Sequence, residues 1–436
     1  MAKSTSKRQK PTVMDRISNL SDSLLCHILW FLTTKEAVVT SILSSRWKTL
    51  WTLVPKFDFD SHEFERISSS DEEQSPNQHD NQDYGNNRYR FTFTHILTRA
   101  WAIRNLNNAN PIKHFRLYWD SNDFDPIHAE TWVRAALTPD LEVLDVLIGI
   151  SQRFNLPSTL FNYAKSLVVL KLKKGIVVNP PSSSFGFPSL KTLLLQSVRY
   201  TNGDTFSELL SCCPVLQNLY LETYIPNYDN NFKITVPTLK TLHLSLYSNL
   251  QRDCRLEINA PALKYLHFRS LHLDPHFTEC LCFATKLDPP MFHNLAFLYF
   301  KAEARLWHVL PRLLHRAPNL AVLVFEKEHA ESYVCDEEDN SIIKRMFNED
   351  LPICISSHLK TFHFIGFKGL TYELEFVGHI LRTARFLKTM TLTPAYIDSD
   401  EKIRILKELL MLPRESRTCQ IAFSCSLFHY DFSLSY

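Results

Sequence analysis

The residues that come nearest to a metal-binding cluster in the sequence are His276, Cys280 and Cys282. Imidazole and thiolate groups bind zinc, but a closed zinc site needs four ligands and the sequence offers no obvious fourth. The ten cysteines are otherwise scattered, without any C-x-x-C pair. We therefore expect buried, reduced thiols rather than a metal site or a disulfide framework.

Motifs of known catalytic sites are missing as well. The sequence contains no G-x-S-x-G, Walker or H-E-x-x-H pattern, and its 8 glycines leave few positions for a phosphate-binding loop. Three histidines, His243, His267 and His363, recur at equivalent places of a repeated pattern, which indicates a structural or surface role. We therefore name no catalytic and no cofactor-binding residue.

Composition narrows the choice of partners. The 48 basic residues are balanced by 46 acidic ones, so the net charge of +2 gives no general attraction for nucleic acid. No apolar run reaches the roughly 18 residues of a membrane span. Residues 1–13 form a basic, flexible tail without the apolar core of a secretory signal. We expect a protein of the nucleus and/or cytoplasm, with neither membrane nor nucleic acid as a partner.

The first folded stretch, residues 15–51, predicts three short helices with too many apolar side chains for their own core. Ser21 is the expected N-cap of the first helix, and Thr33 with Glu36 forms a capping box for the second, over residues 35–40. Ser44 or Ser45 is the expected cap of the third. Three helices of this size cannot enclose so much apolar surface, so part of it is expected to face a partner. The apolar residues of this stretch are Leu20, Leu24, Leu25, Ile28, Leu29, Leu32, Ala37, Val38, Leu43, Trp47, Leu50 and Trp51.

The rest of the chain is organised by a repeat that follows a polar insert. Residues 53–60 have strand-like alternation, residues 61–88 are rich in Ser, Asn, Gln and Asp, and a helix is expected from residue 91 towards 105. The pattern L-x-x-L-x-L, with Phe, Ile, Val or Met allowed at the leucine positions, then recurs eleven times, mostly at steps of 23 to 29 residues, which is typical of leucine-rich repeats. Its copies begin at Ile112, Leu141, Leu167, Leu190, Leu216, Leu239, Leu263, Leu295, Leu320, Leu359 and Leu387.

Each copy predicts a short strand whose apolar residues point into a solenoid while the residues between them face outward. Helical return legs are expected over residues 205–214, 305–318 and 375–386, and a capping helix over 401–412 with a last strand at 419–423. The fold class is therefore α/β, with three N-terminal helices followed by an irregular, curved repeat solenoid. An acidic stretch, residues 326–341, is expected to be an exposed loop.

The outward positions of the repeats form the predicted binding face. They combine aromatic rings with charges of both signs, which suits a protein surface better than a phosphate backbone. The predicted residues are Lys171, Leu194, Tyr220, His243, His267, Arg269, Tyr299 and Lys301.

The opening stretch resembles the F-box of a large plant family. It departs from the family pattern at Ser21, where proline is usual, and at Trp30, where serine is common. The matching residues are Asp15, Arg16, Ile17, Ser18, Leu20, Asp22, Leu24, Leu25, Ile28, Leu29, Phe31, Leu32, Thr34, Lys35, Ala37, Val38, Thr40, Ser41, Leu43, Ser44, Arg46, Trp47, Leu50 and Trp51. Residues 351–369, 380–392 and 407–423 resemble successive parts of the FBD region of the same F-box/FBD/LRR-repeat family.

The resemblance implies a domain order and a function. The expected units are the tail 1–13, the F-box 14–54, a disordered insert 61–88, leucine-rich repeats 89–350, and the FBD region with its C-terminal cap 351–424. The implied function is that of a substrate receptor of a Skp–cullin–F-box ubiquitin ligase: the F-box docks on a Skp-type adaptor, and through it a cullin, while the repeats bind a protein substrate. The implied receptor is non-catalytic and needs no cofactor. Two alternatives stay open, a repeat scaffold without ligase assembly and an enzyme or small-ligand receptor that uses a pocket on the concave face of the repeats.

Overall fold

The computed structural model describes most of the folded chain. The residues described are 17, 19–64, 93–107, 109–180, 186–201, 204–224, 231–247, 255–271, 291–302, 307, 309–327, 352–395 and 399–423. The predictions for the tail 1–13, for His276, Cys280 and Cys282, and for most of the insert and the acidic loop lie outside them.

Within this part of the chain, thirteen parallel strands form one sheet in which neighbours in space are neighbours in sequence. Each of the eleven predicted repeats supplies one of the strands β2 to β12, and β1 and β13 extend the sheet at its two ends. The strands are β1 (Lys56–Asp60), β2 (His114–Trp119), β3 (Val143–Ile148), β4 (Val169–Lys174), β5 (Thr192–Gln196), β6 (Asn218–Tyr224), β7 (Thr241–Tyr247), β8 (Tyr265–Leu271), β9 (Phe297–Ala302), β10 (Val322–Lys327), β11 (Thr361–Phe367), β12 (Thr389–Pro394) and β13 (Gln420–Phe423).

The inner face of this sheet holds the core. Along β7, Leu242, Leu244 and Leu246 are buried while the side chains between them are only half-buried, as the alternation of a strand requires. The equivalent leucines and phenylalanines of the other repeats continue the same core. Because every strand has the same inward pattern, the one-residue slip that would turn a strand inside out is disfavoured throughout the sheet.

Helices precede or cross over between the strands. They are α1 (Asp22–Leu29), α2 (Thr34–Val39), α3 (Trp47–Leu53), α4 (Phe93–Leu106), α5 (Pro126–Ala136), α6 (Leu160–Tyr163), α7 (Thr205–Ser211), α8 (Val309–His315), α9 (Ile353–Ser357), α10 (Thr371–Thr383) and α11 (Ser399–Met411). The predicted return helices correspond to α7, α8 and α10, and the predicted capping helix to α11. No helix in the described residues is both long and apolar enough to cross a membrane.

Several return legs contain short strands rather than the helices or turns that the sequence predicts. Phe154–Asn155, Ile176–Val178 and Arg199–Tyr200 form a small parallel sheet, and Asn231–Thr235 pairs with Arg255–Asn259 in a second one. The return side of the solenoid therefore contains both helices and short strands.

Two predictions near the N-terminal end were wrong. Neither Ser44 nor Ser45 caps α3: the helix follows Arg46, and no side chain bonds to its first amides. The insert does not begin at residue 61, because Ser61 is buried and its hydroxyl accepts a hydrogen bond from the Asp120 amide at 3.1 Å. Phe64 also packs on the core, so the repeat fold includes residues 56–64.

Candidate functional site

The first candidate surface is built on helix α1. Ser21 caps this helix as predicted, with its hydroxyl 3.4 Å from the Leu24 amide nitrogen. Arg46 then joins the helix start to the third helix, since Nε lies 2.9 Å from Oδ1 of Asp22 and Nη2 lies 2.6 Å from the Leu20 carbonyl oxygen. Ser21, which stands where the family usually has proline, thus caps the helix through its hydroxyl. Arg46 holds the helix start through its bonds to Asp22 and Leu20.

Helix α2 is positioned in the same way by its own cap and by the sheet. Thr33 and Glu36 form the predicted capping box. The Thr34 hydroxyl accepts a hydrogen bond from the Asp58 amide of β1 at 2.8 Å. Lys56 of the same strand donates to the Leu32 carbonyl at 3.2 Å. The start of α2 is therefore bonded directly to the first strand.

The twelve apolar residues predicted for this unit divide into two faces. The core of the unit contains Leu25, Leu29, Ala37, Trp47, Leu50 and Trp51, which are all buried. Leu20 and Leu32 are half-buried against that core. Leu24, Ile28, Val38 and Leu43 are exposed on the other side. The buried six cannot reach a partner in this conformation, so their predicted contact with an adaptor would be indirect, through support of the exposed residues.

Four further apolar side chains widen the exposed side, and the sequence reasoning did not include them in the site. Phe31 and Ile42 are 74% and 83% exposed, and Ile17 and Val39 are each 56% exposed. The signal was present, because Ile42 and Leu43 follow α2 in the apolar run AVVTSIL. We call the eight exposed residues the F-box apolar surface: Ile17, Leu24, Ile28, Phe31, Val38, Val39, Ile42 and Leu43.

The second candidate surface is the face of the main sheet opposite the core, which we call the outer face. Strand register places the central residues of β1 to β12 in one row across it. That row is Asp58, Arg116, Asp145, Lys171, Leu194, Tyr220, His243, His267, Tyr299, Val324, His363 and Thr391. The register thus places the six predicted residues from Lys171 to Tyr299 side by side, and their role in binding a target stays a prediction.

Four rings in the middle of this row are stacked. The centroid distance is 4.6 Å between Tyr220 and His243, 5.0 Å between His243 and His267, and 4.1 Å between His267 and Tyr299. Burial lowers the pKa of His243 to about 4 and that of His267 to about 3. Both imidazoles are therefore neutral at pH 7, which makes a stack of four uncharged rings possible.

Burial differs between the predicted members of the outer face. Tyr220, His243, His267, Arg269 and Lys301 are half-buried and present part of their side chain to the surface. Lys171, Leu194 and Tyr299 are almost fully buried, and desolvation lowers the pKa of Lys171. These three side chains therefore contribute little accessible surface to the outer face, and they pack against its exposed members.

Charges at the start of the outer face are tied into a network. Arg116 pairs with Asp58 at 2.7 Å and with Asp60 at 3.1 Å. Its guanidinium also lies 3.7 Å from the centroid of the Tyr118 ring. Lys173 pairs with Asp145 at 3.2 Å. At this end of the outer face, the charged side chains named above are paired with charges of opposite sign within the protein. Among the described residues, no cluster of His, Cys, Asp or Glu is arranged to hold a metal ion.

Comparison with known proteins shows the family to which this chain belongs. The F-box domain model matches residues 17–59, the LRR-repeat model of the FBD-associated F-box protein At5g56370 matches residues 129–287, and the FBD model matches residues 348–392. The FBD-associated F-box protein At3g52670 of Arabidopsis thaliana is 30% identical over 446 residues, which cover 96% of this chain and 99% of the relative. The chain belongs to the family of FBD-associated F-box proteins. The F-box/FBD/LRR-repeat protein At4g26340 of the same plant is 29% identical over 450 residues, covering 94% of this chain and 100% of the relative.

The family membership gives each surface a meaning. In this F-box protein the three N-terminal helices are an F-box domain, and an F-box domain implies a Skp-type adaptor as partner. The predicted resemblance to the F-box/FBD/LRR-repeat family is thereby confirmed. Membership also indicates the role of a non-catalytic adaptor subunit.

Proposed function

We propose that this protein is the target-recognition subunit of a Skp–cullin–F-box ubiquitin ligase. The F-box apolar surface docks on the Skp-type adaptor, the adaptor connects to a cullin, and the outer face of the repeats binds a protein that is to be ubiquitinated. The chain itself catalyses no step in this proposal, since other subunits transfer ubiquitin.

The observation that carries the proposal is the F-box apolar surface. Eight large apolar side chains are exposed within residues 17–43, directly beside the buried core of the same three helices. Exposed large apolar side chains in this number mark an interaction site in a soluble protein. A partner that covers these side chains removes them from water, at about 25 cal/mol for each Å² of apolar area.

The rigid connection between F-box and repeats supports the second half of the proposal. Arg104 of α4 donates to the carbonyl oxygens of Thr52 and Val54, both at 2.7 Å, and to that of Asn110 at 2.6 Å. The guanidinium thus bonds the end of the F-box to the chain segment that leads into β2. A target held on the outer face would keep a fixed position relative to the adaptor, which suits transfer of ubiquitin from another subunit.

A double substitution on exposed positions tests adaptor docking. We expect Leu24→Asp with Ile28→Asp to weaken adaptor binding by at least about 100-fold, because two central apolar contacts are replaced by charges. The melting temperature should change little, since neither side chain is part of the core. The matched control is Ile403→Asp with Leu410→Asp, two similarly exposed residues of α11.

Pull-down with a purified Skp-type adaptor measures the effect. Loss of binding only in the α1 variant supports the proposal, and undiminished binding of that variant contradicts it. Recovery of a cullin together with the wild-type chain and adaptor supports the ligase assembly. An adaptor complex that never recruits a cullin would favour the scaffold alternative.

One observation favours a second candidate function, small-ligand reception. A cavity of about 1100 Å³ lies between the F-box and α4, lined by residues such as Val39, Trp51, Ile96 and Ile103. A metabolite that raises the melting temperature of the wild type, but not of an Ala102→Trp variant that narrows the cavity, would support this function. Equal stabilisation of both proteins would place the ligand elsewhere.

A further inference from the structure

A row of exposed lysines runs along the edge of the main sheet at which the strands begin. The residue immediately before each of the strands β5 to β12 is bonded through its backbone to the equivalent residue of the next repeat; for example, the Lys264 amide donates to the Lys240 carbonyl at 2.8 Å. The residues joined in this way are Lys191, Gln217, Lys240, Lys264, Ala296, Ala321, Lys360 and Lys388. The five lysines of this set, which we call the lysine row, are all exposed.

The positive charge of the lysine row is not balanced within the described part of the chain. None of the five ammonium groups pairs with a carboxylate there, and Lys240 Nζ donates to the neutral amide oxygen of Gln217 at 3.1 Å. The five residues that lead into each of the eight strands also contain no aspartate or glutamate. These segments are 187–191, 213–217, 236–240, 260–264, 292–296, 317–321, 356–360 and 384–388.

The lysine row has the length of a short extended peptide. It crosses seven strand intervals, which at about 4.8 Å each give about 33 Å, the reach of about ten extended residues. The first residues of the strands form an uncharged row directly beside it. That row is Thr192, Asn218, Thr241, Tyr265, Phe297, Val322, Thr361 and Thr389.

The chemistry of the lysine row selects an anionic partner with several charges along a line, because an ammonium group only donates hydrogen bonds. An acidic polypeptide and a nucleic acid both meet this requirement. Apart from the five lysines, the chain has 43 basic and 46 acidic residues, so a long polyanion gains no attraction outside the row. Tyr265 is also the one exposed aromatic residue of the uncharged row, whereas proteins that bind single strands stack successive bases on several rings. These observations favour a short acidic polypeptide.

We propose that the lysine row binds an acidic segment of the target protein, which lies in an extended conformation along the edge where the strands begin. This inference rests on the proposed function, because it takes the target as the source of the segment. It deepens that function by giving the target a chemical requirement: several aspartate or glutamate residues within about ten residues of chain.

Two peptides test the lysine row on the full chain, alone and bound to its adaptor. One has about twelve residues of alternating glutamate and serine, and the other has glutamine in place of glutamate. We expect the glutamate peptide to bind about tenfold more tightly than the glutamine peptide at about 50 mM salt, as measured by fluorescence anisotropy. The preference should fall to about twofold at about 0.5 M salt, because salt screens exposed charges.

Two double variants assign the preference to the lysine row. Lys240→Gln with Lys264→Gln should weaken binding of the glutamate peptide about threefold, as for two exposed ion pairs. Lys113→Gln with Lys233→Gln lowers the net charge equally, but these exposed lysines already pair with carboxylates, at 2.8 and 3.9 Å. This control should keep the wild-type affinity. Replacing all five lysines of the row by glutamine should abolish the preference.

Several outcomes would overturn the proposal. They are equal affinity of the wild type for the two peptides, an unchanged preference after all five replacements, and an equal loss in the two double variants, which would follow net charge alone. Tighter binding of an oligothymidylate of the same length than of the glutamate peptide would assign the row to nucleic acid instead. Adaptor pull-down on the same samples separates failure of the lysine row from failure of F-box docking.

Discussion

Lys327 Nζ lies 2.9 Å from Glu373 Oε1, and both side chains are withdrawn from water between β10 and the first turn of α10. The ammonium also donates to the Tyr372 hydroxyl at 2.6 Å. The carboxylate in turn accepts from the backbone amides of Lys368 and Leu370, at 2.7 and 3.3 Å. The pair thus bonds the last strand before the FBD match to a helix within it.

Breaking this pair from one side should destabilise the C-terminal part of the protein. Lys327→Met leaves the Glu373 carboxylate buried without its counter-charge, and we expect a loss of about 3 kcal/mol in the free energy of unfolding. Lys327→Met with Glu373→Gln removes both charges and should recover part of that loss. Urea denaturation followed by tryptophan fluorescence measures both. A double variant as unstable as the single one would show that charge pairing is not the cause.

The junction between F-box and repeats depends on Arg104 in a similar way. Burial lowers the pKa of its guanidinium to about 10, which leaves the group charged at neutral pH. Arg104→Met removes three hydrogen bonds to buried or partly buried carbonyls, and we expect a loss of about 3 kcal/mol in the free energy of unfolding. Arg99→Met, on the exposed side of the same helix, should change it by less than about 0.5 kcal/mol.

Hydrogen exchange of residues 47–64 provides the local readout for Arg104. Faster exchange there in Arg104→Met than in Arg99→Met is the expected result. Identical protection in the two variants would mean that the F-box is held to the sheet by other contacts alone.

Gly369 is required where the FBD region meets the capping helix. Its φ is +71°, and a Cβ atom at this position would lie 2.2 Å from Cδ1 of Ile405 in α11. We expect Gly369→Ala to cost about 2 kcal/mol in the free energy of unfolding and to loosen α11, because both the backbone and the side-chain contact are strained.

The matched control for Gly369 is Gly378→Ala within α10. There the new Cβ would meet only the flexible end of Leu412, at 3.3 Å, and alanine favours the helix. Its effect should stay within about 1 kcal/mol. Limited proteolysis that releases α11 as readily from the control as from Gly369→Ala would contradict the assigned role.

Periodicity explains why the sequence predicted so much of the fold. Each of the eleven repeat copies predicts one strand. The alternation of apolar and other residues within the copies predicts how neighbouring strands pair, and it therefore also predicts the row of residues from Lys171 to Tyr299. Likewise, Thr33 and Glu36 are a local signal that needs no tertiary information.

Other features depend on contacts that no local pattern contains. Leu24 and Leu25 are neighbours in sequence, but only packing on α3 shows that the first is exposed and the second is buried. The sequence alone predicts that Arg104 faces solvent, because its three carbonyl partners lie far away or in a loop that no local pattern identifies.

The stacked histidines predict a dependence of stability on pH. The folded pKa values of His243 and His267, about 4 and about 3, lie below the value of 6.5 expected in the unfolded chain. Between these values the unfolded chain binds more protons than the folded one. The stability present above pH 6.5 is therefore lost as the pH falls, by about 2 kcal/mol for each ring at pH 5.

Replacing both rings by phenylalanine keeps the stack and removes the titration. We expect His243→Phe with His267→Phe to lose less free energy of unfolding between pH 7 and pH 5 than the wild type, by several kcal/mol. Two other histidines, the half-buried His114 and the buried His363, also have lowered pKa values. They contribute equally to both proteins, so the difference isolates the stack. Parallel stability curves for the two proteins would show that these imidazoles are solvated in the folded state, because a solvated imidazole titrates alike in both states.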